Sequence, residues 1–157
     1  MQRRTIMVLA IVLSMLTVGS TAYALDDDVT EVVIDGAGRL AAHGKGKVVI
    51  HGSGWVKIKM RHGNIEIIDH AGDATIRVRP SDEPAEAVDD TTVVLEDFVG
   101  VIVVRGSDFT IKARGKFRKI LATGRGTAFL KGRGWYRATG GYYGTWTPGG
   151  VRVIYAL

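Results

Sequence analysis

Four histidines are the residues of this chain best suited to hold a metal ion or to act as a general base. They are His43, His51, His62 and His70, separated by 8, 11 and 8 residues, and each adjoins a glycine or an acidic residue. In a meander of short strands, His43 and His51 would lie at opposite sheet edges. His43 and His62 would be about 10 Å apart, too far to share a zinc ion with bonds of about 2 Å. We therefore interpret all four as solvated turn residues and predict no metal and no cofactor.

The other reactive side chains are not arranged for catalysis. A nucleophilic triad needs a serine beside a histidine that a carboxylate orients, whereas Ser53, Ser81 and Ser107 lie in turn-like or linker-like sequence. Residues 44–47 (GKGK) have the glycine content of a phosphate-binding loop, but such a loop opens a helix and this one enters a strand-like run. We predict that the protein is not an enzyme, and a hydrolase is the least favoured alternative.

Lys and Arg residues alternate with other residues in the C-terminal part of the chain. A sheet face dense in cations attracts polyanions, by an effect that weakens as salt rises. An alternative is that outward charges keep the sheet soluble and protect its edges. Acidic polysaccharides or envelope polymers would be the partners, and nucleic acid is disfavoured because no nucleic-acid-binding motif is present. The predicted polyanion-binding residues are Lys112, Arg114, Lys116, Arg118, Arg125, Lys131, Arg133 and Arg137.

Aromatic residues are concentrated near the C-terminus, beside glycines. They are Trp135, Tyr142, Tyr143 and Trp146. Exposed rings of this kind form a platform for a sugar or anchor a partner protein. The alternative is that the rings cover bare glycine backbone and complete the core.

Alternation with a period of two residues is the main secondary-structure signal. Val56, Ile58 and Met60 alternate with Lys57, Lys59 and Arg61, and the same pattern places Lys112 and Arg114 on an outer face. Glycines interrupt the apolar runs every 8 to 10 residues and are typical of hairpin turns. We predict an all-β fold, an antiparallel meander of 11 to 13 strands that forms a sandwich or a partly closed barrel. A β-solenoid is the alternative.

Two segments 80 positions apart have the same glycine spacing. Residues 44–57 read GKGKVVIHGSGWVK and residues 124–137 read GRGTAFLKGRGWYR. This predicts two similar halves, at 25–79 and 91–157, joined by an acidic linker or loop at 80–90 that contains two prolines. The alternative is that glycine spacing repeats because hairpin spacing repeats.

The first 24 residues have the three parts of a secretory signal peptide. Arg3 and Arg4 precede the apolar run 6–16, and Ala22-Tyr23-Ala24 is a small-residue cleavage site. We predict an exported protein of a prokaryote, periplasmic, cell-surface or secreted. No later segment is apolar enough for a membrane helix, and the chain has no cysteine for disulfides.

The charge is uneven along the predicted mature chain. Residues 25–100 contain 8 Lys and Arg against 15 Asp and Glu, and residues 101–157 contain 11 against one. Such asymmetry indicates either a polyanionic partner or contact between acidic and basic regions. Self-association into a homo-oligomer is therefore a second hypothesis.

The phrases VVIHGSGWVKIK and AFLKGRGWYRA resemble the glycine rhythm of auto-transporter adhesin head domains. That resemblance implies an exported, glycine-patterned β-solenoid of largely unassigned activity, and it transfers no functional residue. Together these observations predict an exported, non-enzymatic β protein with a surface-structural or binding role.

Overall fold

A computed structural model of the protein describes residues 29–34, 38–79 and 86–155. The predicted signal peptide at 1–24 and residues 80–85 of the predicted linker lie outside these ranges. The described residues form eight β-strands and no helix, so the predicted all-β fold is confirmed. Within them, accordingly, no helix has the length and apolarity that a membrane crossing requires.

The eight strands form one mixed sheet that does not close into a barrel. Its order is β1-β8-β6-β2-β5-β4, and β3 and β7 also pair with β6. Strands β1 and β8 are parallel, and the other pairs are antiparallel. The strands are β1 Thr30–Ile34, β2 Arg39–Asp69, β3 Thr75–Arg79, β4 Glu86–Asp89, β5 Thr92–Leu95, β6 Gly100–Ala138, β7 Tyr143–Thr145 and β8 Val151–Tyr155.

Two very long strands replace the predicted meander of short ones. Strand β2 has 31 residues and β6 has 39, and each pairs with the other along both of its edges. One ladder joins residues 40–69 to 138–109, and a second joins 39–60 to 123–100. A straight strand of 31 residues would extend for about 100 Å. The strands must therefore curl. The two predicted halves are hydrogen-bonded to one another along both ladders.

Most of the glycines predicted to form hairpin turns lie inside these strands, so the prediction is wrong for them, whereas Gly72, Gly140 and Gly141 do lie in turns. Five glycine pairs face each other across the first ladder: Gly44 and Gly134, Gly46 and Gly132, Gly52 and Gly126, Gly54 and Gly124, and Gly63 and Gly115. A Cβ atom at any of them would collide with a carbonyl oxygen of the opposite strand. Glycine is thus required because the two backbones approach too closely for a side chain.

The repeated segment explains how these glycines find one another. Its glycines are spaced by 2, 6 and 2 residues, a spacing that reads the same in both directions. An antiparallel ladder between the two copies therefore brings each glycine of one copy opposite a glycine of the other. The structure thus places the two copies of the repeat against each other, in register.

The core lies under the two long strands and follows their alternation. Val48, Ile50, Val56 and Ile58 of β2 are buried, and Lys59, Lys112 and Arg114 are exposed, as predicted, while Lys57 is half-buried. Large rings from both halves complete this core: Phe98, Phe109, Phe117, Tyr136, Trp146 and Tyr155. Residues 86–89 of the predicted linker form β4 and pair with β5.

Candidate polyanion-binding surface

Three triplets of the sequence have a glycine between two cations. The fold places the three triplets next to one another across the sheet. Gly46 lies between Gly132 on one edge of β2 and Gly115 on the other. Lys45 is therefore opposite Arg133 and Lys116, and Lys47 is opposite Lys131 and Arg114. We call these six residues the cationic ridge: Lys45, Lys47, Arg114, Lys116, Lys131 and Arg133.

The ridge faces outward because of strand geometry. Successive side chains of a strand point to opposite faces, so the residues on either side of an inward glycine share the outer face. Lys45, Lys47, Arg114, Lys116 and Arg133 are exposed, and Lys131 is partly exposed. Neighbouring strands are about 4.8 Å apart and residues i and i+2 about 7 Å apart. Six cations thus start from a patch of backbone about 10 Å by 7 Å.

This arrangement is electrostatically unfavourable for the protein alone. Like charges directly opposite on adjacent strands destabilise a sheet. In the part of the chain that the structure describes, Lys45, Lys47, Arg114, Lys116 and Arg133 form no salt bridge. Lys112, at the border of the ridge, instead pairs with Glu66 at 3.3 Å. The charges of the five ridge residues Lys45, Lys47, Arg114, Lys116 and Arg133 therefore remain available to an external anion.

A shallow hollow of about 550 Å³ lies on the ridge. Its walls carry Lys47, Arg114 and Lys131, and its base is Gly46 with the half-buried ring of Phe129. Volumes of this order accommodate small-molecule groups such as one or two sugar rings. An anionic group in the hollow would face one cation of β2 and two cations of β6, one on each edge of β2.

Exposed rings continue the ridge along two of its strands. Trp135 follows Arg133 by two residues on the same face, and His43 precedes Lys45 by two. Trp135 and His43 are paired in the ladder, and their rings are stacked with centroids 6.0 Å apart and planes at 18°. The Trp135 side chain is 50% exposed. A flat aromatic surface thus adjoins the six cations.

The predicted aromatic platform is only partly present. Tyr142 and Tyr143 are exposed, and Tyr143 lines a hollow of about 340 Å³ with Trp135 and Arg137. Trp146 is buried, with only 4% of its surface exposed, so the prediction that it belongs to the platform is wrong. Its indole packs on Phe117 with centroids 5.9 Å apart and donates a hydrogen bond to the Trp135 carbonyl at 3.2 Å.

Tyr136 also lines this hollow. It is buried, and burial raises the pKa of its hydroxyl above the ordinary value.

The eight predicted cations do not all lie together. Arg114, Lys116, Lys131 and Arg133 belong to the ridge, and Lys112 lies at its border, where Glu66 neutralises it. Arg118, Arg125 and Arg137 lie elsewhere: Arg118 at a register shift, Arg125 opposite Ser53, and Arg137 beside β7.

Sequence reasoning missed Lys45 and Lys47. They lie in residues 25–100, the region with a net negative charge, although β2 itself contains six Lys and Arg against two acidic residues. The uneven charge of the regions 25–100 and 101–157 is thus not an uneven charge of the two long strands. The signal that would have found these two lysines is the cation-glycine-cation triplet, which occurs at 45–47, 114–116 and 131–133.

The four histidines are exposed, as predicted, but only His70 lies at a turn, so the prediction of turn residues is wrong for the other three. His43, His51 and His62 lie within β2, and His70 directly follows it. His62 is 3.8 Å from Asp97. His51 and His70 come together, with ring centroids 5.8 Å apart.

Comparison with known proteins finds no matching family model, no matching curated protein and no matching solved structure. The resemblance to auto-transporter adhesin head domains therefore stays a prediction.

Proposed function

We propose that this protein is an exported, non-enzymatic binding protein for anionic polymers, and that the cationic ridge is its binding surface. The observation that carries the proposal is the stacking of three cation-glycine-cation triplets on adjacent strands, beside an exposed tryptophan. Folding brings these like charges together at a cost, and an anionic polymer would offset that cost.

Acidic polysaccharide is the polymer class that the surface favours. Its carboxylate or sulfate groups would pair with the ridge, and an adjacent sugar ring would lie against Trp135. The predicted export through a signal peptide makes envelope or extracellular glycans accessible partners. Each exposed ion pair would add a small amount to the binding free energy, and salt would weaken the binding strongly.

Removal of two ridge cations is expected to weaken binding about tenfold. The double variant Lys45→Gln/Lys47→Gln loses two ion pairs worth up to about 1 kcal/mol each to the polymer. Affinity for polygalacturonate and for heparin would be measured on the chain from residue 25 onward, over a salt series. The wild-type affinity should fall steeply with salt, and the variant should show a smaller slope.

Arg77→Gln/Arg79→Gln is the matched control. Arg77 and Arg79 are also exposed and two residues apart on one strand, but their ladder partners in β6 are Val103 and Val101. The control removes the same charge with no stacked cations beside it and should change affinity less than about twofold. Equal losses in both variants would show an effect of net charge alone, and absence of binding at low salt would reject the proposal.

Trp135→Ala is expected to distinguish a glycan from a simple polyanion. Loss of a stacked ring should weaken polygalacturonate binding severalfold, since aromatic contacts contribute about 0.5–1.5 kcal/mol beyond burial. Binding of polyphosphate, which has no sugar ring, should be unchanged within about twofold. Equal effects on both polymers would contradict the role of Trp135 in sugar contact.

A further inference from the structure

A second cluster of chemically active side chains lies apart from the cationic ridge. It consists of His51, His70 and Asp108, and all three are exposed. One nitrogen of each histidine and one carboxylate oxygen lie within 4.8 Å of one another. The three residues come from β2, from the turn after β2, and from β6.

Backbone pairing brings these three residues together. His51 is opposite Thr110 in the second ladder. The His70 N–H donates to the Asp108 carbonyl at 3.0 Å. The turn after His70 is held by the buried carboxylate of Asp69, which accepts hydrogen bonds from Gly72 N at 2.9 Å and Ala74 N at 2.7 Å. The positions of the cluster are thus fixed by main-chain hydrogen bonds, and only the side-chain torsions are free.

The Thr110 hydroxyl marks the point on which the two rings converge. His51 Nδ1 is 2.9 Å from Thr110 Oγ1, and His70 Nε2 is 2.8 Å from the same atom. The hydroxyl has one hydrogen to donate, so at most one of these nitrogens accepts from it and the other donates to it. Asp108 Oδ1 is 4.0 Å from His51 Nδ1. The two ring nitrogens therefore converge on one hydroxyl, and the carboxylate oxygen lies beside one of these nitrogens.

We propose that His51, His70 and Asp108 form a binding site for a divalent transition-metal ion, with zinc as the best fit. Imidazole nitrogen and carboxylate oxygen are both zinc ligands, and bonds of about 2.0–2.2 Å place tetrahedral ligand atoms about 3.3–3.6 Å apart. The separations between the ligand atoms in the structure reach somewhat larger values, up to 4.8 Å. Rotation of the exposed side chains, which moves each ligand atom by about 1 Å, brings them to the tetrahedral distance.

The ligand set also defines which ions the site rejects. Ca²⁺ and Mg²⁺ prefer shells made only of oxygen, whereas two imidazoles favour Zn²⁺, Cu²⁺ or Ni²⁺. Three protein ligands leave a fourth position of the zinc ion for water or an external group. The ion would also tie the end of β2 to β6, so its binding should stabilise the folded state.

Zinc titration of the untagged chain from residue 25 onward, followed by calorimetry, tests the site. Saturating Zn²⁺ should raise the thermal midpoint, and Mg²⁺ should not. His51→Ala, His70→Ala and Asp108→Asn should each weaken zinc binding by at least about tenfold. Even the loss of a residue that only orients a zinc ligand lowers metal affinity by about this factor. His62→Ala is the matched control, because His62 lies beside Asp97 with no second histidine, and it should change affinity less than about twofold.

Ring resonances of the wild-type histidines provide a measurement that needs no variant. Added Zn²⁺ should shift the signals of His51 and His70 and leave those of His43 and His62 in place. Shifts of all four histidines, shifts of none, or zinc affinity that the three ligand variants leave unchanged would each overturn the proposal.

Discussion

Gly54→Ala is expected to destabilise the protein by at least about 3 kcal/mol. The Gly54 φ angle is +115°, a value that residues with a side chain rarely adopt, and such strain costs about 1–3 kcal/mol. A Cβ at this position would also overlap the Thr123 carbonyl oxygen and lie 2.9 Å from Gly124 Cα. Both neighbours are backbone, so neither moves without separating the two strands. Equilibrium unfolding in urea measures the loss.

Gly72→Ala separates the two contributions. Gly72 also has a positive φ, +72°, but a Cβ there would meet nothing within 4 Å. This control therefore carries only the conformational penalty, about 1–2 kcal/mol. Should Gly54→Ala cost no more than Gly72→Ala, the close approach of paired glycines would not be what holds the ladder together. A Gly54→Ala chain that does not fold, beside a Gly72→Ala chain that does, supports the expectation.

Trp146→Ala is expected to cost about 3–5 kcal/mol, the range for removing a large buried ring. The indole fills the core against Phe117 and holds the segment after β6 through its hydrogen bond to the Trp135 carbonyl. Its removal leaves a cavity and abolishes this hydrogen bond, and both effects destabilise the fold. Thermal or urea unfolding followed by near-ultraviolet circular dichroism is the measurement.

Trp135→Ala is the control for this loss. Trp135 is the same residue type, half-exposed on the outer face. Its replacement should cost about 1 kcal/mol, the typical effect of a point substitution. Comparable losses at Trp135 and Trp146 would show that the two indoles contribute equally, contrary to their burial. The pair also separates stability from the polymer binding assigned to Trp135.

Local sequence pattern was sufficient for the strands and for the faces of their side chains. The alternation around Val56, Ile58 and Lys59 predicts strand, and the structure buries the first two and exposes the third. This succeeds because side-chain direction in a strand depends only on position parity. The same reasoning failed at Gly44 and Gly54, because glycine is required both in a tight turn and where two strands approach closely. At these two positions the close approach is the reason. Composition does not distinguish the two causes.

Pairing across the ladders decided which residues became neighbours. Lys45 belongs to the net acidic region 25–100 of the sequence, yet it lies between Lys116 and Arg133. His51 and His70 are 19 positions apart in the chain and share one hydroxyl in the fold. Trp146 and Trp135 share a glycine-rich context but differ in burial, because only one of them faces Phe117.

From its residues alone, the chain is recognisable as an all-β protein with cations on its outer faces, since both properties follow from local periodicity. The juxtaposition of three triplets, the meeting of two histidines and the burial of one tryptophan arise only in three dimensions. They depend on a register between positions about 40 to 100 residues apart, which brings glycine opposite glycine along the first ladder.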